Sequence, residues 1–347
     1  MTSDAAANRP GPGLVRFLAL SLCLCLSGMA LAVSFPARAA ILADHTGREV
    51  PLPDNPQRVV SLAPNITEMV FALGAGEALV GRSRFSDSPP EALRLPSVGS
   101  YFRPDIERVV ALRPDFCLAV REGQPASTLE RLERLGIPVF ILDPQSLQGV
   151  REALILLGEA LGRQQEAARL AEAMDERLRL LDVRVERELR RTGKRPVVLL
   201  QVQAAPLMGS GRGTYPGELI IRAGGDNPLR GNTPYPRLSM EDLLTLRPDV
   251  IIVPEDKESG AGAAGGHGYG AGTAFAAYQR PPLDRSIPAA RSGRIHLLPA
   301  DLLFRPSLRG VDALESLISL FFPCEEAPLA LAGEFPEYGE ESLRTNP

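Results

Sequence analysis

The chain has 347 residues, a net charge of -4 and 44% hydrophobic residues, a globular mixture sized for two domains. Nothing in that charge suits a nucleic-acid binder. Tryptophan is absent, and lysine occurs only at Lys194 and Lys257, so arginine carries nearly all the positive charge.

The first 39 residues read as a signal peptide. Arg9 and Arg16 precede an apolar run from Phe17 to Val33, and Ala37-Arg38-Ala39 is a small-x-small cleavage site. Export to the periplasm is expected, with a mature chain from about Ala40. Cys23 and Cys25 lie within the apolar run and lack the preceding small residue of a lipid anchor. Cys117, in a strand-like apolar run, is expected to be a buried free thiol. Its pairing with Cys324 stays open in an oxidising compartment.

Arg58–Pro64 reads as a short buried strand. Asn65 with Glu68 three residues on has the form of a capping box for a helix to about Leu73, stopped by Gly74-Ala-Gly76. Strands are expected at 79–82, 115–120 and 138–142, with helices at 106–112 and 127–135 between them. This alternation predicts a parallel sheet covered by helices over residues 40–146. Residues 147–193 read as helix. Leu170, Met174, Leu178, Leu181, Val185 and Leu189 make one apolar stripe from about Gln164 to Arg191, a rigid spacer about 40 Å long. A second α/β unit is expected over 194–323: strands at 196–203, 250–253 and 294–298, helices at 218–223, 240–246 and 308–322. The Gly-rich segment 259–273 reads as a flexible loop, and 324–347 as a loosely attached tail.

The two units share a repeat. Asp105-Ile-Glu107-Arg-Val-Val-Ala-Leu-Arg-Pro114-Asp115 matches Ser239-Met-Glu241-Asp-Leu-Leu-Thr-Leu-Arg-Pro248-Asp249, with each glutamate seven residues before its proline. Helix-Pro-Asp-strand is a common way into a sheet. A glutamate early in both helices is not explained by that, although acid at a helix N-terminus is favourable.

With these blocks, the chain from about Arg58 to Phe322 resembles the cobalamin and ferric-siderophore class of periplasmic binding proteins. The vitamin B12-binding members are nearest in Ser61-Leu-Ala-Pro-Asn-Ile-Thr-Glu68, Val80-Gly81 with Phe85-Ser-Asp-Ser-Pro-Pro90, and Pro234-Tyr-Pro-Arg-Leu-Ser-Met-Glu241. The resemblance implies two Rossmann-like α/β lobes with parallel sheets, joined by one long helix. It implies a monomer that passes a metal chelate to an inner-membrane permease dimer and its ATPase. Glu107 and Glu241 match the family's permease-docking glutamates.

The ligand is expected between the lobes, at loops following the strands. Candidates are Pro64, Asn65, Phe85, Ser86 and Tyr101 from the first lobe, and Met208, Arg212, Tyr235, Asp301 and Arg305 from the second. Aromatics suit a flat corrin face. Where cobalamin binders carry tryptophans this chain has Tyr101, Val120 and Tyr235, and where haem relatives place an iron-ligating tyrosine it has Ser88. Arg82, Arg84, Arg103, Arg121, Arg212, Arg237, Arg305 and Arg309 lie near cleft loops and would suit an anionic chelate if they converge. The expected ligand is a corrinoid, with a ferric siderophore next and haem third. His45, His267 and His296 are too dispersed for a bare-metal site; His267 and Tyr269 could ligate iron only from the Gly-rich loop. A secreted α/β enzyme is the alternative of another class, but no Gly-x-Ser-x-Gly elbow, P-loop or nucleophile–base spacing is present, and no catalytic residue or cofactor is assigned. A signalling sensor would need a second module after Phe322.

Overall fold

A computed structural model of the chain describes residues 39–255 and 283–323. The expected signal peptide (apart from Ala39), the Gly-rich segment with His267 and Tyr269, Cys324 and the rest of the C-terminal segment fall outside these residues.

The described chain opens with an antiparallel hairpin, β1 (Ala39–Ala43) and β2 (Glu49–Pro53). Asp44 and His45 at its tip tie it to the first sheet: Ile141 N donates to Asp44, and Asp143 N donates to His45 Nδ1 at 2.8 Å. The first lobe is built from β3 (Val59–Ser61), α1 (Pro64–Ala72), β4 (Leu79–Arg82), α2 (Ile106–Ala111), β5 (Phe116–Val120), α3 (Ala126–Arg134) and β6 (Val139–Leu142). Its sheet runs β4-β3-β5-β6, all parallel. Every residue of β3, β5 and β6 is buried, which is why these strands read as unbroken apolar runs.

α4 (Leu147–Ala160) starts at Ser146, whose hydroxyl accepts Gly149 N–H. α5 (Gln164–Thr192) is the spacer, 29 residues long and closed by Gly193 in the left-handed region. Leu170, Met174, Leu178, Leu181 and Val185 are buried along one face, each worth about 1.5–3 kcal/mol of burial. The exposed face carries Glu166–Arg169 and Glu176–Arg179 pairs. The second lobe contains β7 (Val198–Ala204), β8 (Leu207–Gly209), α6 (Tyr215–Arg222), α7 (Met240–Leu246), β9 (Val250–Glu255), α8 (Leu283–Ser286), α9 (Pro288–Arg291), β10 (Ile295–Pro299), α10 (Ala300–Phe304) and α11 (Gly310–Phe321). Its sheet runs β10-β9-β7-β8. The first three strands form the expected parallel sheet, and β8 folds back antiparallel on β7 at its edge. The hairpin is too short to show as an alternating pattern.

One hydrophobic core runs from Val59 and Phe140 through the α4 and α5 stripes to Ile220, Leu314 and Phe322. The lobes therefore share packing around α4, α5 and α11. Arg177 on α5 reinforces the seam, bonding Asp312 of α11 at 2.8 Å. Among the described residues no helix is long and apolar enough to cross a membrane.

Candidate functional site

The repeat has the same geometry in both lobes. Asp105 caps α2 and Ser239 caps α7, each accepting the N–H of the residue three on, at 3.1 Å. Glu107 and Glu241 are then the second residue of each helix, in its first turn, and are exposed. Arg113 and Arg247 both take positive φ, 46° and 47°, to end their helices. Pro114 and Pro248 follow, and the next aspartate pins the neighbouring strand: Asp115 accepts Arg58 N–H at 2.8 Å, and Asp249 accepts Val197 N–H at 3.0 Å. The Leu-Arg-Pro-Asp portion is thus structural. Among the described residues the glutamates make no bond that would account for them.

The floor between the lobes is polar. Glu68 does not cap its helix. α1 begins at Pro64 with Ala63 before it and no side-chain cap, because the proline fixes the first turn one residue ahead of Asn65. Glu68 instead crosses to the segment joining α10 and α11, where Ser307 Oγ donates to it at 2.7 Å. Arg305 approaches at 3.4 Å and Arg309 at 3.7 Å. Arg305 also pairs with Asp87 at 2.6 Å, and Arg309 with Asp301 at 2.9 Å. Asn65 adds a bond to Pro306 O at 3.2 Å. Burial lifts the Glu68 carboxyl above the ordinary range against the pull of Arg309, Ser307 and Arg305. Arg305 would be lowered by its own burial, but Asp87 and Glu68 raise it.

Several of the expected ligand-binding residues have partners within the protein. Arg305, Asp301 and Asn65 belong to the interlobe network, so their charge and amide groups are engaged before any ligand arrives. Ser86 is fully buried and bonds Thr67 and Ser83, supporting the loop from beneath. Arg212 is turned inward to Asp226 and Asn227 O. Sequence spacing does not say which way these side chains turn.

Phe85, Tyr101, Met208 and Tyr235 remain at least partly open, as does Pro64. Arg84 lies over the Phe85 ring at 4.9 Å. The Tyr101 ring lies against Gly123, where a Cβ would stand 2.6 Å from it. Gln124, unnoticed in the sequence, fixes this arrangement: its buried amide donates to Leu62 O and Tyr101 O and accepts Val120 N–H. A Gly-Gln-Pro after a buried strand was the available signal. Burial pushes the Tyr101 hydroxyl up to about 12, with Glu122 adding to it. Tyr235, from the other lobe, is raised by burial and by the same Glu122 carboxylate. The same carboxylate thus acts on a tyrosine from each lobe.

Cys117 is a buried free thiol with its ionisation pushed up to about 12. Two further recesses lie elsewhere, one beside Arg151, Asp175 and Arg222, the other beside Leu52 and Gln164. In the first, Arg151 pairs with Asp175 and Arg222 with Asp182, so its charges are already matched. Among the described residues no three His, Cys, Asp or Glu side chains cluster as a metal site.

Comparison with known proteins gives a consistent picture. A family model described as periplasmic binding protein matches residues 59–302. The vitamin B12-binding protein of Pectobacterium atrosepticum is 35% identical over 199 residues, 57% of this chain and 71% of that protein. The crystal structure of the periplasmic vitamin B12 binding protein of Vibrio cholerae superposes with a TM-score of 0.65 at 27% identity, covering 78% of this chain and 98% of that one. A periplasmic heme binding protein from Pseudomonas aeruginosa gives a TM-score of 0.66 at 31% identity, covering 78% and 94%.

Proposed function

Because the chain belongs to the periplasmic binding protein family, we propose that it captures a corrinoid between its lobes and delivers it to an inner-membrane permease. The family membership itself makes the chain a substrate-binding component of an ABC importer, periplasmic and not an enzyme. The corrinoid is the finer step. It rests chiefly on the 35% identity to vitamin B12-binding proteins. Tyr101 and Tyr235 support it, since two aromatic side chains from opposite lobes offer area for a flat macrocycle at small entropic cost. In this reading Pro64, Phe85 and Met208 complete the contact surface, and the engaged network at Glu68 sets the spacing of the lobes.

Glu107 and Glu241 are the docking groups of this proposal. Both are exposed at equivalent places in the two lobes. Paired acids suit paired cations on a dimeric permease, and such contacts mainly set register and encounter rate.

A ferric siderophore or haem is the second reading. The likeness to the Pseudomonas aeruginosa heme binding protein and the exposed arginines around the cleft favour it. Metal analysis and visible absorption of the protein isolated from its native periplasm separate the two. Cobalt with a corrin spectrum supports the first. Iron with a porphyrin or catecholate spectrum overturns it in favour of the second.

A further inference from the structure

β6 ends the first sheet, with β5 on one side only. In a parallel ladder alternate residues direct their N–H and C=O to the neighbouring strand. Pro138 O and Leu142 O accept from Cys117 N and Arg121 N, so they face β5. The backbone groups of Val139, Ile141 and Asp143 therefore face the free side. The turn between β1 and β2 meets four of them. Arg48 Nη2 donates to Val139 O at 2.9 Å, and His45 N donates to Ile141 O at 3.0 Å. Asp44 accepts Ile141 N–H at 3.3 Å, and His45 Nδ1 accepts Asp143 N–H at 2.8 Å.

Three of these four bonds come from side chains. The opposite edge of the sheet is closed by backbone instead: Arg82 N donates to Pro96 O beside β4, and Val98 N donates to Arg82 O. The turn has its own bracing. The Asp44 side chain has no exposed surface, and it also accepts from Thr46 N, Arg48 N and the Arg48 guanidinium. Arg48 is held again by Glu133 of α3 at 2.8 Å.

What the turn covers would otherwise be adhesive. β6 reads Val-Phe-Ile-Leu, without charge, proline or glycine. A bare edge of such residues pairs readily with another strand. A second copy of β6 is self-complementary to it. Two copies set antiparallel about Ile141 would pair Ile141 with Ile141 and Val139 with Asp143, and a twofold pair of this kind closes on itself.

We propose that the turn at residues 44–48 is a cap that excludes a second copy of this chain from the free edge of β6. Because Asp44 and His45 act through their side chains, replacing them opens the edge without removing a strand. The proposal does not depend on which ligand the cleft takes.

The test compares Asp44→Ala/His45→Ala, His45→Ala and His45→Asn with the wild type, by sedimentation over a range of concentrations and by amide hydrogen exchange. Asparagine places Oδ1 where Nδ1 stands and keeps the acceptor. In the dilute double variant the Ile141 and Asp143 amides are expected to exchange roughly fivefold or more faster than in the wild type. As concentration rises a dimer forms and both amides regain protection. His45→Asn stays monomeric with slow exchange. Should the double variant fail to fold, His45→Ala gives the same readouts at Asp143 with a weaker dimer. A folded variant without the cap that stays monomeric at every concentration overturns the proposal. So does a dimer in which these amides remain open, or wild-type protection of both amides in the double variant.

Discussion

Glu68 offers a sharp test of how the lobes are held. Its side chain is 6% exposed and shares a network with Asp87, Asp301, Arg305 and Arg309. Among these five described residues three carboxylates face two guanidiniums, so their full ionisation leaves one negative charge in excess. Glu68→Gln removes that excess, and the amide oxygen can still accept from Ser307. Arg305 keeps Asp87 and Arg309 keeps Asp301. The expected loss is about 0–1.5 kcal/mol, the scale of one hydrogen bond. Arg309→Met does the opposite and doubles the excess around a buried acid. Breaking a buried pair in this way costs about 3–5 kcal/mol. Urea unfolding midpoints of the two variants give the comparison directly.

The pH dependence has a definite sign. Burial holds the folded Glu68 carboxyl above its ordinary value of 4.5, so the native state binds this proton more tightly than the unfolded state. The stability it contributes is fully present below 4.5 and is lost as pH rises through the folded value. Wild type therefore loses ground against Glu68→Gln on going from acid to neutral pH. A Glu68→Gln loss as large as that of Arg309→Met, or a wild-type advantage growing with pH, would refute the excess-charge account.

Three further outcomes follow from single residues. Glu107→Arg with Glu241→Arg should abolish uptake in a transport assay while calorimetry shows unchanged ligand affinity; weakened ligand binding would remove both from the docking surface. Gly123→Ala should swing the Tyr101 ring off its seat, because the new Cβ would stand 2.6 Å from it. Ligand affinity should fall roughly tenfold with little change in melting temperature, and unchanged affinity would exclude Tyr101 from the site. Cys117 should stay inert to a thiol reagent at pH 8 until the protein unfolds, since burial pushes its ionisation up to about 12. Rapid labelling of the native protein would contradict the packing of β5.

The architecture was legible because its signals are local. Buried parallel strands give unbroken apolar runs, as in Phe116–Val120, and the α5 stripe repeats at steps of three and four over its whole length. The repeat points to two lobes. Side-chain direction is what local spacing does not carry. Asn65 and Glu68 have the spacing of a cap, yet Pro64 takes the first helical position. A second signal was present: Ile66, Met69 and Val70 give α1 no solvent face, so an acid there had to find a buried partner. Ser86, Arg212 and Asp301 each have a partner 8 to 19 residues away, Thr67, Asn227 and Arg309 in turn, which local spacing does not reveal. β8, at three residues, and α10, at five, are too short for periodicity to show.

The most direct measurement is calorimetric titration of the purified, ligand-free protein with cyanocobalamin, haemin and a ferric siderophore. The expected result is saturable one-to-one binding, strongest for cyanocobalamin. Absence of heat or spectral change with every chelate would contradict the assignment of the interlobe cleft as a chelate-binding site.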